Sequence, residues 1–399
     1  MDKRTFMRMG ICGVAGAMIC PFEALASPSG TIDPTGLPET ANPEFSGDTV
    51  YSGKLWDSSK PWKWSKLAMY QVETPRGIRC QICPNECTLQ EGEVSDCHNR
   101  KVFNGKLYTM AYGNPCAVHI DPVEKKPMNH FKPGSTAFSI ATAGCNLACL
   151  NCQNWTISQT SPDKTENYDM MPDQVVAQAQ KYNCNSIAYT YSEPITFYEY
   201  VLDTGKIAHD EGFSNILVSA GYIHQEPLVN LCKVIDGANI DLKSMDDSIY
   251  LKLNAGKLEP VLNCLKTMKD EGVWLEITNL VVPSWTDDLD MIKRMCQWLV
   301  TNGFDNTPLH FSRFHPQYKL QRLAATPVQT LENAWNIARA EGLKFVYIGN
   351  VPGNHATDTI CPNCKEIVVE RSGYTIKKYK ISKDSRCMYC NTLIPGVWN

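Results

Sequence analysis

The sequence predicts an α/β fold, a full or partial (βα) barrel flanked by a small cysteine-rich N-terminal region and a C-terminal zinc-ribbon-like module. Three observations predict it. Between residues 137 and 357, short apolar runs alternate with amphipathic helical stretches, the pattern of repeated βα units around a buried parallel sheet. Polar residues collect at the C-terminal end of almost every apolar run, where the loops of a barrel build a site. Most of the 18 cysteines fall into three tight clusters, one before, one inside and one after this region.

Taken in order, residues 1–26 read as a targeting segment. Lys3, Arg4 and Arg8 make a basic start, MGICGVAGAMIC is apolar but too short to span a bilayer, and Ala24-Leu25-Ala26 is an A-x-A cleavage site. The order DKRTFMR resembles a twin-arginine export signal, with Lys3 where the first arginine usually stands. This points to the periplasm or cell envelope, with membrane contact expected through this segment alone. Residues 27–75 form a linker and N-terminal extension, which includes KPWKWSK (60–66); its tryptophans are expected to pack back on the body. Residues 76–136 carry the first cysteine group. The strand runs FSIATAG, SIAYTYSEP, NILVSAGY, ANIDLK, VWLEITNLVVP, PLHFSRFHP and KFVYIGNVP follow within 137–357. Helical stretches between them include PDQVVAQAQKY, FYEYVLDTGKIAHDEG, VLNCLKTMKDEG, DLDMIKRMCQWLVTNG and LENAWNIARAEG. Gly212, Gly272, Gly303 and Gly342 each stand where a helix closes before the next strand, a position that wants positive φ. Residues 358–399 hold the last cysteine group.

The 399 residues are 43% hydrophobic and 20% charged with a net charge of −4, a globular mixture without the basic excess of a nucleic-acid binder. Tight C-x2-C spacings suit metal coordination better than a disulfide framework. Cysteines outside the clusters, such as Cys184 and Cys232, sit in apolar patterns and read as inert core residues.

The stretch AGCNLACLNCQNW (143–155) sets Cys145, Cys149 and Cys152 at C-x3-C-x2-C directly after the run FSIATAG. Thiolates suit zinc and iron–sulfur clusters. A structural zinc takes four protein ligands, and the next cysteine, Cys184, is 32 residues on. Three thiolates on a [4Fe–4S] cube leave one iron without a protein ligand, the mark of a cluster that does chemistry. A zinc site completed by a distant histidine is the alternative.

This motif resembles that of the radical S-adenosylmethionine (SAM) superfamily, whose core is a full or partial (βα) barrel. The wider series DPVEKKPMNHFKPG, GCNLACLNCQNW, YTYSEPITFYEY, NIDLKS, HFSRFHPQYK and YIGNVPG is similar to the AmmeMemoRadiSam-system radical SAM enzymes, over roughly residues 76–399. Those enzymes are relatives of the pyruvate formate-lyase activating enzymes. The resemblance implies that SAM chelates the open iron. One electron from the cluster then cleaves SAM to methionine and a 5′-deoxyadenosyl radical, which takes a hydrogen atom from a substrate the sequence does not name. It further implies a low-potential electron donor and AMMECR-type and Memo-type partner proteins.

By the same resemblance Glu193, in YTYSEP, meets the SAM ammonium. Lys243, in NIDLKS, pairs with the SAM carboxylate, while Asp241 holds a cation or orients Lys243. His315, in SRFHP, contacts SAM. Two departures stand out. Asn151 occupies the place before the third cysteine where an aromatic residue usually packs on adenine. Stacking must then come from elsewhere, with Trp155 a candidate, or be replaced by a hydrogen bond. VSAGY (218–222) replaces the Asp-Thr-Asn-Gly run of the activating enzymes, so a cation site there does not carry over whole.

The outer groups differ in clarity. Cys361, Cys364, Cys387 and Cys390 form two C-x2-C knuckles separated by 22 residues and read as a zinc ribbon. Cys80, Cys83, Cys87 and Cys97 run C-x2-C-x3-C-x9-C; four ligands close a site, which favours structural zinc, with an auxiliary iron–sulfur cluster as the alternative. Two other functions fit parts of the pattern, a glycyl-radical-enzyme activase and a non-catalytic iron–sulfur electron-transfer protein. The second has no use for Glu193, Asp241, Lys243 and His315 at successive strand ends. The supply of SAM and reductant argues for the cytoplasm, against the leader.

Overall fold

The structure is a computed structural model and describes residues 60–398. The targeting segment and the linker up to residue 59 lie outside the described residues. Eight strands form one sheet in chain order: β1 (Ala117–Pro122), β2 (Thr136–Ala141), β3 (Ser186–Tyr189), β4 (Ser214–Ser219), β5 (Gly237–Asp241), β6 (Trp274–Val281), β7 (Leu309–Arg313) and β8 (Val346–Gly349). β1 runs antiparallel to β2, and every later pair is parallel. A chain-order parallel sheet with helical crossovers follows the path of a (βα) barrel. Among the described residues β1 and β8 do not pair, so the barrel is partial.

The central strands are covered on both faces. All of β3 is buried, and β5 is buried up to its last residue, so apolar residues run on without alternation. Helices α1 (Pro172–Lys181), α2 (Tyr198–Asp210), α3 (Gln225–Cys232), α4 (Leu258–Asp270), α5 (Leu289–Thr301) and α6 (Val328–Ala340) connect them. α5 shows how such a helix is specified. Asp288 caps it by accepting from the Asp290 and Met291 N–H groups, and Met291, Ile292, Met295, Cys296 and Leu299 form its buried stripe. Each such side chain stabilises the packing by about 1.5–3 kcal/mol. The four glycines expected to close helices have φ of 81°, 79°, 74° and 108° at Gly212, Gly272, Gly303 and Gly342. Among the described residues no helix is long and apolar enough to cross a membrane.

Two strand pairs cross the boundaries expected from the cysteine and apolar patterns. Gln71–Thr74 pairs with Gly77–Cys80 across residue 75/76, and β1 pairs with β2 across 136/137. β1 precedes the strand that the apolar pattern made visible, while both strands of the 71–80 pair lie outside the marked runs. Trp64 is buried, and its indole N–H donates to Asp169 at 2.8 Å. The C-terminal three-stranded sheet, Thr359–Ile360, Ile367–Ser372 and Thr375–Tyr379, is not a loose appendage. Its Val368 and Val369 share a core with Phe345 and Tyr347, at the N-terminal end of β8 and away from the mouth.

Candidate functional site

The loop after β2 is shaped by its own backbone contacts. Gly144 has φ of +100°, and a Cβ there would lie 2.4 Å from the Cys97 carbonyl oxygen and 2.8 Å from the Asn99 side chain, so only glycine fits. The Gly144 N–H donates to Ile157 O at 2.8 Å. Ala148 and Leu150 donate to Asn254 O and Leu253 O at 3.0 and 2.9 Å. Both acceptors belong to a single π-helical turn, Tyr250–Asn254, which ends at Ala255 in the left-handed region. Asn146 Nδ2 donates to Tyr222 O at 2.8 Å. The loop thus hangs between the ends of β4 and β5.

Two donors already address the sulfurs: Leu147 N–H lies 3.4 Å from Cys145 Sγ, and Asn254 Nδ2 3.2 Å from Cys149 Sγ. Burial, followed by the charges of Glu193 and Cys149, holds the Cys145 thiol well above its usual range. Burial and Cys149 push Cys152 up to about 11. Cys145, Cys149 and Cys152 stand half-buried at one mouth, and thiols so placed are suited to bind iron as thiolates. The donor set therefore fits an iron–sulfur cluster.

Glu193 stands on the next strand end. It caps the short helical turn Pro194–Phe197 by accepting from Ile195 N–H at 3.1 Å. Ser219 Oγ and Ala220 N–H, at the end of β4, donate to its carboxylate at 2.6 and 2.9 Å. Burial lifts its pKa, while these donors and the Lys243 charge oppose the rise. A carboxylate accepts about four hydrogen bonds, so this buried group keeps capacity for a further donor. Ala220 thus contributes a backbone donor at a position marked in the sequence only for the polar side chain it lacks.

Asp241, the last residue of β5, pairs directly with Lys243 at 2.8 Å. Burial opposes the Lys243 ammonium, but Asp241 and Cys149 outweigh it and raise its pKa. The same Lys243 charge acts on Cys152. His315 lies half-buried two residues past the end of β7. Trp155 is 39% exposed and stacks on Tyr318, with centroids 5.2 Å apart and planes 16° apart. One face of that indole is covered by Tyr318, and the ring stays partly exposed. Asn151 instead presents a buried Oδ1 without a hydrogen-bond partner.

The two outer cysteine groups take different forms. Cys361 and Cys390 Sγ lie 3.6 Å apart, Cys364 and Cys387 Sγ 3.7 Å apart, and all four ligand atoms fall within 4.8 Å of one another. A tetrahedral ion with metal–sulfur bonds near 2.3 Å sets its sulfurs about 3.8 Å apart, so this group could bind a single metal ion. Cys80, Cys83, Cys87 and Cys97 line a cavity together with Arg100 and Asn146.

The sequence profile of the Radical SAM superfamily matches residues 139–298. An uncharacterized protein of Methanocaldococcus jannaschii is 45% identical over 329 residues, 82% of this chain and 98% of its own length. The pyruvate formate-lyase 1-activating enzyme of Escherichia coli is 26% identical, over 51% of this chain and 89% of its own. A solved domain of a pyruvate-formate lyase-activating enzyme from Bacteroides vulgatus covers 41% of this chain and 99% of its own, with 16% identity and a TM-score of 0.36, an overlap too loose to argue from. The profile match spans β2 to α5 and includes the cysteine loop, Glu193 and Lys243. The chain belongs to the radical SAM superfamily, enzymes built on a [4Fe–4S] cluster and SAM.

Proposed function

We propose that this chain holds a [4Fe–4S] cluster on Cys145, Cys149 and Cys152 and cleaves SAM there reductively, for hydrogen abstraction from a substrate still to be identified. The observation that carries this is Glu193: a buried carboxylate with three donors in place and lone pairs to spare, beside a set of thiols one ligand short. Cluster and SAM together supply the electron and the 5′-deoxyadenosyl radical, the hard part of the chemistry. The chain's own residues bind and orient. Glu193 accepts from the SAM ammonium, with Ser219, Ala220 and Ile195 fixing its plane. Lys243 offers its ammonium to the SAM carboxylate, steered by Asp241 at 2.8 Å. His315 borders the same mouth from β7. The orphaned Oδ1 of Asn151 accepts from the adenine amino group, taking over the role of the missing aromatic residue.

Radical SAM chemistry needs a reductant, and we assign that part to a low-potential electron-carrier protein. The ordered series of motifs from DPVEKKPMNHFKPG to YIGNVPG supports an AmmeMemoRadiSam-type setting with AMMECR-type and Memo-type partners. We assign zinc to Cys361, Cys364, Cys387 and Cys390, in line with their spacing. SAM titrated into the reconstituted, reduced protein tests the site. A SAM-dependent change in the cluster's EPR spectrum is expected. Glu193→Gln should weaken its midpoint about tenfold, as loss of one charge-assisted hydrogen bond implies. A spectrum unmoved by saturating SAM, with the cluster intact, overturns the assignment.

A further inference from the structure

We propose that Cys80, Cys83, Cys87 and Cys97 hold a second iron–sulfur cluster, a closed four-thiolate [4Fe–4S] centre, rather than a single zinc ion. The chain carries its own control. Its C-terminal cysteines draw together until all four sulfurs lie within 4.8 Å of one another, the shell of one tetrahedral ion. Among the described residues the N-terminal four make no such tight group; they stand around a cavity instead. Four thiolates spread around a space suit a polynuclear core, whose irons each take one of them.

The wall of that cavity adds a second, independent feature. Arg100 is 2% exposed, and its Nη1 donates to Glu199 Oε1 at 2.7 Å. Its Nη2 is buried with no partner, although Arg100 lines the cavity. An unpaired guanidinium N–H is costly in a core. Cluster sulfur, an anionic acceptor, would satisfy it, and hydrogen bonds to sulfur tune a cluster's potential.

The placement gives the site a role. Asn146, next to Cys145 in the chain, lines this cavity, and Asn85 Nδ2 donates to its carbonyl at 2.9 Å. Asn99 Nδ2 donates to Ala143 O at 2.6 Å and to Thr196 Oγ1 at 2.9 Å, while Gly144 abuts the Cys97 carbonyl. One layer of residues separates the two centres. The second cluster takes one electron from a low-potential carrier protein of the ferredoxin class, then gives that electron to the cluster on Cys145, Cys149 and Cys152. It returns to its oxidised form as the other is reduced. Only this relay rests on the function proposed above.

Metal and sulfide analysis of the full chain decides the site. In the triple variant Cys145→Ala/Cys149→Ala/Cys152→Ala, anaerobic reconstitution should leave about four irons and four sulfides per chain, with a reduced EPR signal that SAM does not alter. Zinc without sulfide at this group, or a folded variant without iron, overturns the proposal. A second variant, Cys80→Ser/Cys97→Ser, should lower iron from about eight to about four per chain, and unchanged iron overturns the proposal as well. In that variant a ferredoxin-class carrier should reduce the remaining cluster at least about tenfold more slowly, whereas an unaltered rate overturns the relay and leaves the site standing.

Discussion

Asn254 reaches Cys149 from 105 residues away and places an amide donor 3.2 Å from its sulfur. On a cluster held by Cys149, such a donor would stabilise extra negative charge and raise the reduction potential. Asn254→Leu should therefore make the potential more negative while iron content stays constant, as EPR-monitored redox titration would show. Asn151→Ala should weaken SAM binding by about threefold to tenfold, the worth of a neutral hydrogen bond to a buried acceptor. Equilibrium binding of SAM to the oxidised protein measures it, and an unchanged affinity removes Asn151 from the adenine site. Residues of this kind mark what the sequence could and could not disclose. Cys145, Cys149 and Cys152 could be picked out as candidates because their spacing is local, and Glu193 and Lys243 because each follows a recognisable strand. Asn254 and Ser219 carried no signal: their contacts arise only when the π-turn folds back on the cysteine loop and β4 pairs beside β3.

At the scale of elements, the loop after β2 depends on one backbone conformation. Gly144→Ala would set a methyl group 2.4 Å from a carbonyl oxygen at positive φ, a combination of overpacking and strain worth about 2–4 kcal/mol. Urea unfolding should show that loss, and the variant should also lose iron, since the displaced backbone carries Cys145. Full stability with full iron would show that the loop can relax. The parallel strands were legible because burial on both faces writes them as continuous apolar runs. The hairpin strands at 71–74 and 117–122 were not, because short, partly exposed strands carry mixed residues. α3 also escaped notice, being eight residues long with Pro227 inside its first turn; its hold comes from packing rather than from propensity.

Across the whole molecule, the candidate site lies at the mouth of the barrel while the opposite end is sealed by a buried polar network. His130 lies between Tyr347 OH at 2.6 Å and Pro395 O at 2.7 Å. Glu276 accepts from His310 Nε2 and from the His130 N–H, both at 2.7 Å. Burial lowers the His130 pKa from 6.5 to about 4. A histidine held neutral in the fold contributes stability above its unfolded pKa, and that contribution is lost as pH falls from about 6.5 towards 4. The protein should thus be about 2 kcal/mol less stable at pH 5 than at pH 7 from this group alone. His130→Gln should flatten that dependence in urea unfolding; an equally steep profile would place the acid sensitivity elsewhere. The most direct measurement of all is 5′-deoxyadenosine released when the reduced, reconstituted protein meets SAM. The expected result is 5′-deoxyadenosine and methionine in equal amounts, absent in Cys149→Ala and cut at least about tenfold in Glu193→Gln. An intact, reduced cluster that binds SAM yet releases no 5′-deoxyadenosine would contradict the assignment.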